Sequence, residues 1–527
     1  MRSGTLLMGL SFLISKILGL VRDNMLAAQF GAGTDQINQP AIFNLDVYYA
    51  AFRLPDFLFN LLSYGVLSAA FVPLFVEILK KEGREEAKVF ASEILRTILV
   101  LIIAVVAVLF VFTPQIMQIF VPGFDAEKMQ TTIDLTRILL ITPIFFTIGS
   151  IGGGIQNAIH IFWGLSLAPI VYNLGIIAGA LFLAPQYGVY GVTIGVIVGA
   201  FLNMIIQLVP VFTSGYGFTI PRMWFSAKVK EMIKLSIPRV FGMSVTQLSL
   251  VVDTIVASTL ASGSIAVINF SSNLESLPIG LIGISVAIVS FGTLSSLAVD
   301  GKKSEFIEEV ANNLRQMLFL LIPLTLGMLT LRFQIVRLLL GRGNFSWNDT
   351  ILTANTLGVF LGGLVFGGLV FLLARAFYAL KDTKTPVIIG IIAVVLNIGM
   401  TLTFTKVLNL STYGLALANS ITNIVNVTLL IVFLSKKLKA NILDWKEIWK
   451  FIFAALVMML TVQGTKVLVG QIFEKIGSSG EIDTFSELLI QTSAAVAIGI
   501  ATYFCICRVF HCKDIKKILT QISSRLK

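Results

Sequence analysis

The feature that most constrains how this chain can fold is that it repeats itself, at an offset of about 223 residues. Asn173-Leu174-Gly175 recurs 224 residues on as Asn397-Ile398-Gly399, while Tyr190-Gly191 recurs as Tyr413-Gly414 and Leu54-Pro55 as Leu277-Pro278, each 223 residues on. Three matches at one spacing imply a duplicated structural unit, the construction many transporters use. Both copies are apolar. With 56% hydrophobic residues, 13% charged residues and a mean hydropathy of +0.91, the chain lacks the polar residues to cover a soluble body of its size.

The expected fold class is therefore an all-α polytopic membrane protein. A helix needs about 20 apolar residues to cross ~30 Å of hydrocarbon, and about fourteen such stretches occur. They centre in residues 6–28, 47–79, 90–113, 134–157, 161–184, 188–213, 232–260, 264–299, 313–340, 351–379, 385–406, 412–435, 448–470 and 486–508. The first run contains Lys16, Arg22 and Asp23 and is read as a retained helix, not a cleaved signal. Six spans per copy is an even number, so the copies enter from one side as parallel repeats. The expected division is a first lobe over 1–215, a second over 216–437, and two further helices with a basic tail over 438–527. Lys and Arg crowd the even-numbered loops (Lys80, Lys81, Arg84, Lys88; Arg222, Lys228, Lys230; Lys302, Lys303; Lys381, Lys384; Lys436, Lys437, Lys439, Lys446), whereas the odd loops hold only Lys128, Arg342, Lys406 and Lys475. By the positive-inside rule both ends of the chain are cytoplasmic. The formal charge of +11 is topology and contact with anionic lipid headgroups, with no nucleic-acid footprint.

Chemistry is scarce. Cys505, Cys507, Cys512 and His511 match no zinc spacing, and two histidines, His160 and His511, supply little for hydrolysis. Gly152-Gly153-Gly154 follows no strand and precedes no Lys-Ser/Thr, so it reads as close helix packing, not a phosphate loop. What stands out is charge inside apolar spans. A charge at mid-membrane costs about 2.5 to 3.5 kcal/mol on insertion scales, so it usually faces a partner or a cavity. Lys16, Arg22 and Asp23 lie in the first span, and Asp46, Arg53 and Asp56 at the start of the second. Two readings stay open: structural ion pairs Arg22–Asp23 and Arg53–Asp56, or a cationic wall for an anionic headgroup. Asp253 and Glu275 are further acids within apolar stretches.

At L-G-L-V-R-D-N-M-L-A-A-Q-F-G-A-G (Leu18 to Gly33), A-F-R-L-P-D-F-L (Ala51 to Leu58) leading to G-V-L-S-A-A-F-V-P (Gly65 to Pro73), and A-F-Y-A-L-K-D-T-K-T-P (Ala376 to Pro386), the chain closely resembles the MurJ (MviN) family of lipid II flippases. That family belongs to the multidrug/oligosaccharidyl-lipid/polysaccharide exporter superfamily. The resemblance implies a bacterial inner-membrane transporter, not an enzyme. Its cargo would be undecaprenyl-pyrophosphate disaccharide-pentapeptide, carried to the outer leaflet for peptidoglycan and cell shape, with membrane lipids and the cell-wall synthesis machinery as partners. Carried over by position, the family's first-helix arginine falls on Arg22 and its acidic neighbour on Asp23. An earlier arginine is here Lys16, the second-span acid is Asp46, and the basic residue before Leu-Pro is Arg53. Two expected arginines are absent: Phe59 and Asn273 stand in their places, so Lys16 and Arg53 would share the pyrophosphate grip. No cofactor is implied beyond sodium as a coupling ion, for which Asp253, Asn397, Thr401 and Thr422 would supply oxygen ligands. Two alternatives are a polysaccharide-repeat or drug exporter of the same superfamily, and a membrane enzyme acting on polyprenyl phosphates. The latter lacks the acid or histidine cluster it would need.

Overall fold

In a computed structural model, residues 2–35, 40–62, 71–220, 226–476 and 485–515 are described. Residues 65–70 of the G-V-L-S-A-A-F-V-P stretch, Arg222, the Lys475 side chain and the tail beyond residue 515 lie outside the described residues. Throughout the described residues the regular structure is helical. The chain begins with α1 (Arg2–Phe30), α2 (Leu45–Leu62), α3 (Val72–Lys81), α4 (Arg84–Phe120), α5 (Ala126–Leu139), α6 (Thr142–Ala158), α7 (Trp163–Ala178), α8 (Ala184–Tyr187), α9 (Val189–Thr213) and α10 (Ala227–Ser258). It continues with α11 (Ser264–Pro278), α12 (Ser285–Val299), α13 (Lys303–Thr330), α14 (Arg332–Leu340), α15 (Trp347–Ala379), α16 (Lys384–Leu402), α17 (Ser411–Leu438), α18 (Trp445–Ile476) and α19 (Phe485–Val509).

Eleven helical stretches among the described residues are long and apolar enough to cross a membrane, against the fourteen expected. The other three expected spans coincide with α1, with α2 and α3, and with α10. In each of these, part of the apolar stretch or of its side chains lies outside the described residues, and the eleven are compatible with fourteen. Where spans are counted, their lipid-facing character shows as exposed apolar side chains, for example Val111, Phe182, Val289 and Leu460.

The duplication reappears in the backbone. Of the π-helical segments among the described residues, Gly179–Leu183 follows Asn173 and Thr403–Val407 follows Asn397 at the same spacing, while a third is Ile279–Ile284. The matched position of the first two is what one helix written twice would leave.

Packing divides the chain into two compact units, residues 1–266 with 340–349, and residues 267–339 with 350–527. The lobes 1–215 and 216–437 are units of sequence, whereas these are units of contact. In the first unit α10 is held by α3 and α4. Ser226 caps α10 by accepting from Val229 N–H, its hydroxyl donates to the buried Glu93 at 2.5 Å, and Lys228 pairs with Glu82 at 2.6 Å. Val229 and Met232 of α10 enter the core with Phe71, Phe75, Phe90 and Ile94. The segment 340–349 is held by α1, whose last carbonyls at Ala28 and Gln29 accept from Asn344 at 2.8 and 2.7 Å. In the second unit, α13 packs with α18 and α19 through Phe319, Phe451 and Tyr503. A buried Arg315–Asp514 pair at 2.8 Å fastens the chain beyond α19 to α13.

Candidate functional site

Charged side chains of α1, α2 and α10 gather in the first unit. Arg22 folds its guanidinium back onto its neighbour, with Nε and Nη2 donating to Asp23 Oδ1 at 3.0 and 2.8 Å. Adjacent residues on a helix do not face each other, so this pair needs a third partner to fix its direction. Asn173 of α7 supplies it, accepting from Arg22 Nη1 at 3.3 Å. The Asn173 amide is in turn anchored by Pro169 C=O at 3.0 Å and by Ser15 Oγ at 3.3 Å. Arginine has five N–H donors, so these three bonds leave two for a ligand. The Arg22 side chain is 24% exposed and that of Asp23 only 6%, which makes Arg22 the accessible partner.

Two turns into α2, Arg53 lies within electrostatic reach of Asp56, Asp253 and Tyr49, and the exposed Asp56 is within reach of both Arg53 and Arg22. Lys16, half-buried on α1, senses Arg22 and Asp23 and sits 5.8 Å from the Phe12 ring. The group thus holds three cations, Lys16, Arg22 and Arg53, with three carboxylates, Asp23, Asp56 and Asp253. Charges of both signs thus mingle here, with Arg22 oriented by Asp23 and Asn173 and Arg53 lying near Asp56 and Asp253. A wide aromatic floor borders it. Tyr48 packs on Tyr49 and Phe52 at 5.4 and 4.8 Å. Phe59, standing where the resemblance calls for arginine, packs on Phe146 at 4.9 Å, which packs on Tyr172 at 5.1 Å.

The other expected residues fall elsewhere. Asp46 is buried at the start of α11, where Oδ2 accepts from Gly263 N–H at 2.6 Å and Oδ1 from Ala266 N–H at 2.8 Å. An anion capping a helix N-terminus is strongly favoured there, so Asp46 acts as a cap, about 10 Å along α2 from Arg53. Asn273 lies on α11 in the second unit, half-buried, its carbonyl accepting from Ser276. Asn397 and Thr401 stand one turn apart on α16, both buried, and Thr422 on α17 has a buried Oγ1 with no hydrogen-bond partner. These three share the second unit, while Asp253 belongs to the first. Among the described residues no three His, Cys, Asp or Glu side chains are placed to hold a metal ion together. Glu275 is buried, with Oε1 unpartnered.

Sequence reasoning missed Tyr48, Tyr49, Tyr172 and Asp349. It used Asn173 only as a marker of the repeat, although an amide inside an apolar span was itself a signal. Asp349 is held like Asp46, accepting from Ala32 N–H at 2.9 Å, Thr34 N–H at 3.1 Å and the Thr34 hydroxyl. The A-L-K-D-T-K-T-P motif is a turn and helix start. Asp382 accepts from Thr385 N–H at 3.1 Å and from Lys437 Nζ at 2.5 Å, and those donors hold its carboxyl down to about 2.

Comparison with known proteins agrees with this architecture. The family profile described as "Lipid II flippase MurJ" matches residues 27–482. A probable lipid II flippase MurJ of Haemophilus influenzae is 33% identical over 435 residues, covering 79% of this chain and 83% of the relative. One of Rhizobium tropici is 30% identical over 513 residues, covering 93% and 90%. Among solved structures, a lipid II flippase MurJ in an inward closed conformation is 28% identical, with a TM-score of 0.79 over 96% of this chain and 99% of that one. An inward-facing multidrug MATE transporter is 14% identical with a TM-score of 0.67, a likeness of fold alone.

Proposed function

This chain belongs to the lipid II flippase MurJ family, and from that premise we propose how its own residues move the cargo. The protein is a flippase for lipid II, the undecaprenyl-pyrophosphate-linked disaccharide-pentapeptide, which it carries from the inner to the outer leaflet for peptidoglycan synthesis. The observation that carries the residue assignment is Arg22, held by Asp23 and Asn173 with donors to spare. The pyrophosphate takes those donors through charge-assisted hydrogen bonds, which are about twice as strong as neutral ones. Arg53 and Lys16 add positive charge in place of the arginines absent at Phe59 and Asn273. The aromatic side chains Phe59, Phe146 and Tyr172 offer flat faces to the sugars.

Access to the site alternates between the two faces of the membrane while the polyprenyl chain stays in lipid. The chain acts as a carrier without covalent catalysis, in the bacterial inner membrane with both ends cytoplasmic, and delivers to the cell-wall synthesis machinery. A membrane potential is worth about 2.3 kcal/mol per charge per 100 mV, enough to bias the return of the empty site. Sodium coupling is a further part of the proposal. Three oxygen-bearing side chains, Asn397, Thr401 and Thr422, share one unit, and the orphaned Thr422 Oγ1 is the kind of ligand a hard cation satisfies.

Proteoliposomes holding fluorescent lipid II test this reading. The chain should equilibrate lipid II between leaflets while leaving a labelled phospholipid in place, and Arg22→Ala should stop it. Thr422→Val should remove a sodium effect, and Asp253→Asn shows whether a carboxylate is also needed. Transport of phospholipid at the same rate as lipid II would refute the cargo, and an unchanged sodium response in both variants would refute the ion.

A further inference from the structure

A cavity of about 440 Å³ lies in the second unit between α13, α18 and α19. Its wall is apolar, built from residues such as Pro323, Gly327, Met458, Val462 and Val496. One end is closed: Tyr503 donates its hydroxyl to Phe319 C=O at 2.8 Å, and the Phe319 ring packs on Phe451 at 5.3 Å.

The other end is polar and positive. One turn beyond Val462 on α18 stands Lys466, half-buried, and next to the lining residue Leu331 stands Arg332. The two cations lie within electrostatic reach of each other, and among the described residues neither makes an ion pair. Arg332 donates to Leu329 C=O at 3.0 Å and lies 4.6 Å from the Phe333 ring, contacts that neutralise nothing. Glu474, the next acid along α18, is exposed two turns further out. One turn before Val496, Thr492 has a buried hydroxyl without a partner, and beside it Gln491, 4% exposed, has an unpartnered Oε1. Two like charges beside an apolar cavity repel unless an anion joins them.

We propose that this cavity holds one acyl chain of an anionic glycerophospholipid whose phosphate sits between Arg332 and Lys466. Its apolar wall suits a methylene chain and its charged mouth a phosphate. From Phe319 to Leu331 the wall runs about 18 Å along α13, close to the depth of one leaflet. The phosphate would accept from the guanidinium, the ammonium and the Thr492 hydroxyl. The inference rests on the membrane-spanning reading of these helices and not on the identity of the cargo.

Native mass spectrometry of the full chain, incubated in turn with phosphatidylglycerol, phosphatidylethanolamine and undecaprenyl phosphate, tests it. One phosphatidylglycerol should be retained in preference to the other two. The double variant Arg332→Gln, Lys466→Gln should lower that retention at least tenfold. Val496→Trp should abolish it, since that position is 42% exposed and its larger ring would fill the cavity without crowding the core. Matching melting temperatures in detergent show that both variants fold. Equal retention in the charge variant, or equal retention of phosphatidylethanolamine, overturns the phosphate site. Preferential retention of undecaprenyl phosphate that Val496→Trp removes assigns the cavity to the cargo's chain and overturns the proposal. Lipid II flipping by the unaltered protein, measured separately, reports only on the transport function.

Discussion

Arg22 is the residue on which most depends, and its geometry says why. Two of its N–H groups are spent on Asp23 and one on Asn173, so the guanidinium is aimed before any ligand arrives. Lysine keeps the charge but loses the planar fork, so it cannot hold both partners and a phosphate at once. Arg22→Ala and Arg22→Lys should therefore both fail to support growth when the native protein is depleted, with membrane insertion unchanged on immunoblots. Normal growth on the lysine variant would show that charge alone suffices. Asp46 is a different case, since its two oxygens satisfy backbone donors at Gly263 and Ala266 that are otherwise buried. Asp46→Ala leaves both unsatisfied at about 1–3 kcal/mol each, while Asp46→Asn keeps one acceptor oxygen. The melting temperature in detergent should fall clearly for alanine and less for asparagine.

At the scale of helices, the repeated motif does not repeat its packing. A Cβ on Gly175 would stand 2.5 Å from Gly199 Cα, because α7 and α9 touch backbone to backbone, whereas a Cβ on Gly399 meets nothing within 4 Å. Gly175→Ala should cost at least the ~1–3 kcal/mol typical of overpacking and reduce folded yield, while Gly399→Ala should leave yield unchanged. Fluorescence-detected size exclusion of the two variants decides this, and equal behaviour would mean the helices move apart freely. Between α15 and α16, Asp382 joins the start of α16 to Lys437 at the end of α17. Its carboxyl is held below the usual value of 3.8, down to about 2, so the stabilisation is complete above pH ~4 and is lost as pH falls from 4 toward 2. The difference in melting temperature between the native chain and Asp382→Ala should shrink over that window and stay constant above it.

For the whole molecule, the orientation proposed from the lysine and arginine distribution places residue 302 at the cytoplasmic face. A single cysteine put there, in a chain stripped of its own three, should resist membrane-impermeant maleimide in intact cells and react after permeabilisation; labelling from outside would invert the topology. Much was legible in the sequence. The helical class follows from the apolar length of the spans, because hydrocarbon leaves a backbone no other partners, and the duplication follows from words repeated at a fixed offset. Arg22, Asp23 and Arg53 were visible because a charge in an apolar span is costly and so conspicuous. Tertiary structure alone decided which charges meet: that Asp46 caps α11 while Asp56 and Asp253 attend Arg53, that Phe59 joins an aromatic row where an arginine was expected, and that Gly175 is a contact while Gly399 is open. Span length and charge cost are properties of a residue and its near neighbours, so the sequence carries them. Which groups lie within 3 Å depends on how segments over a hundred residues apart come to pack, and no local pattern encodes that.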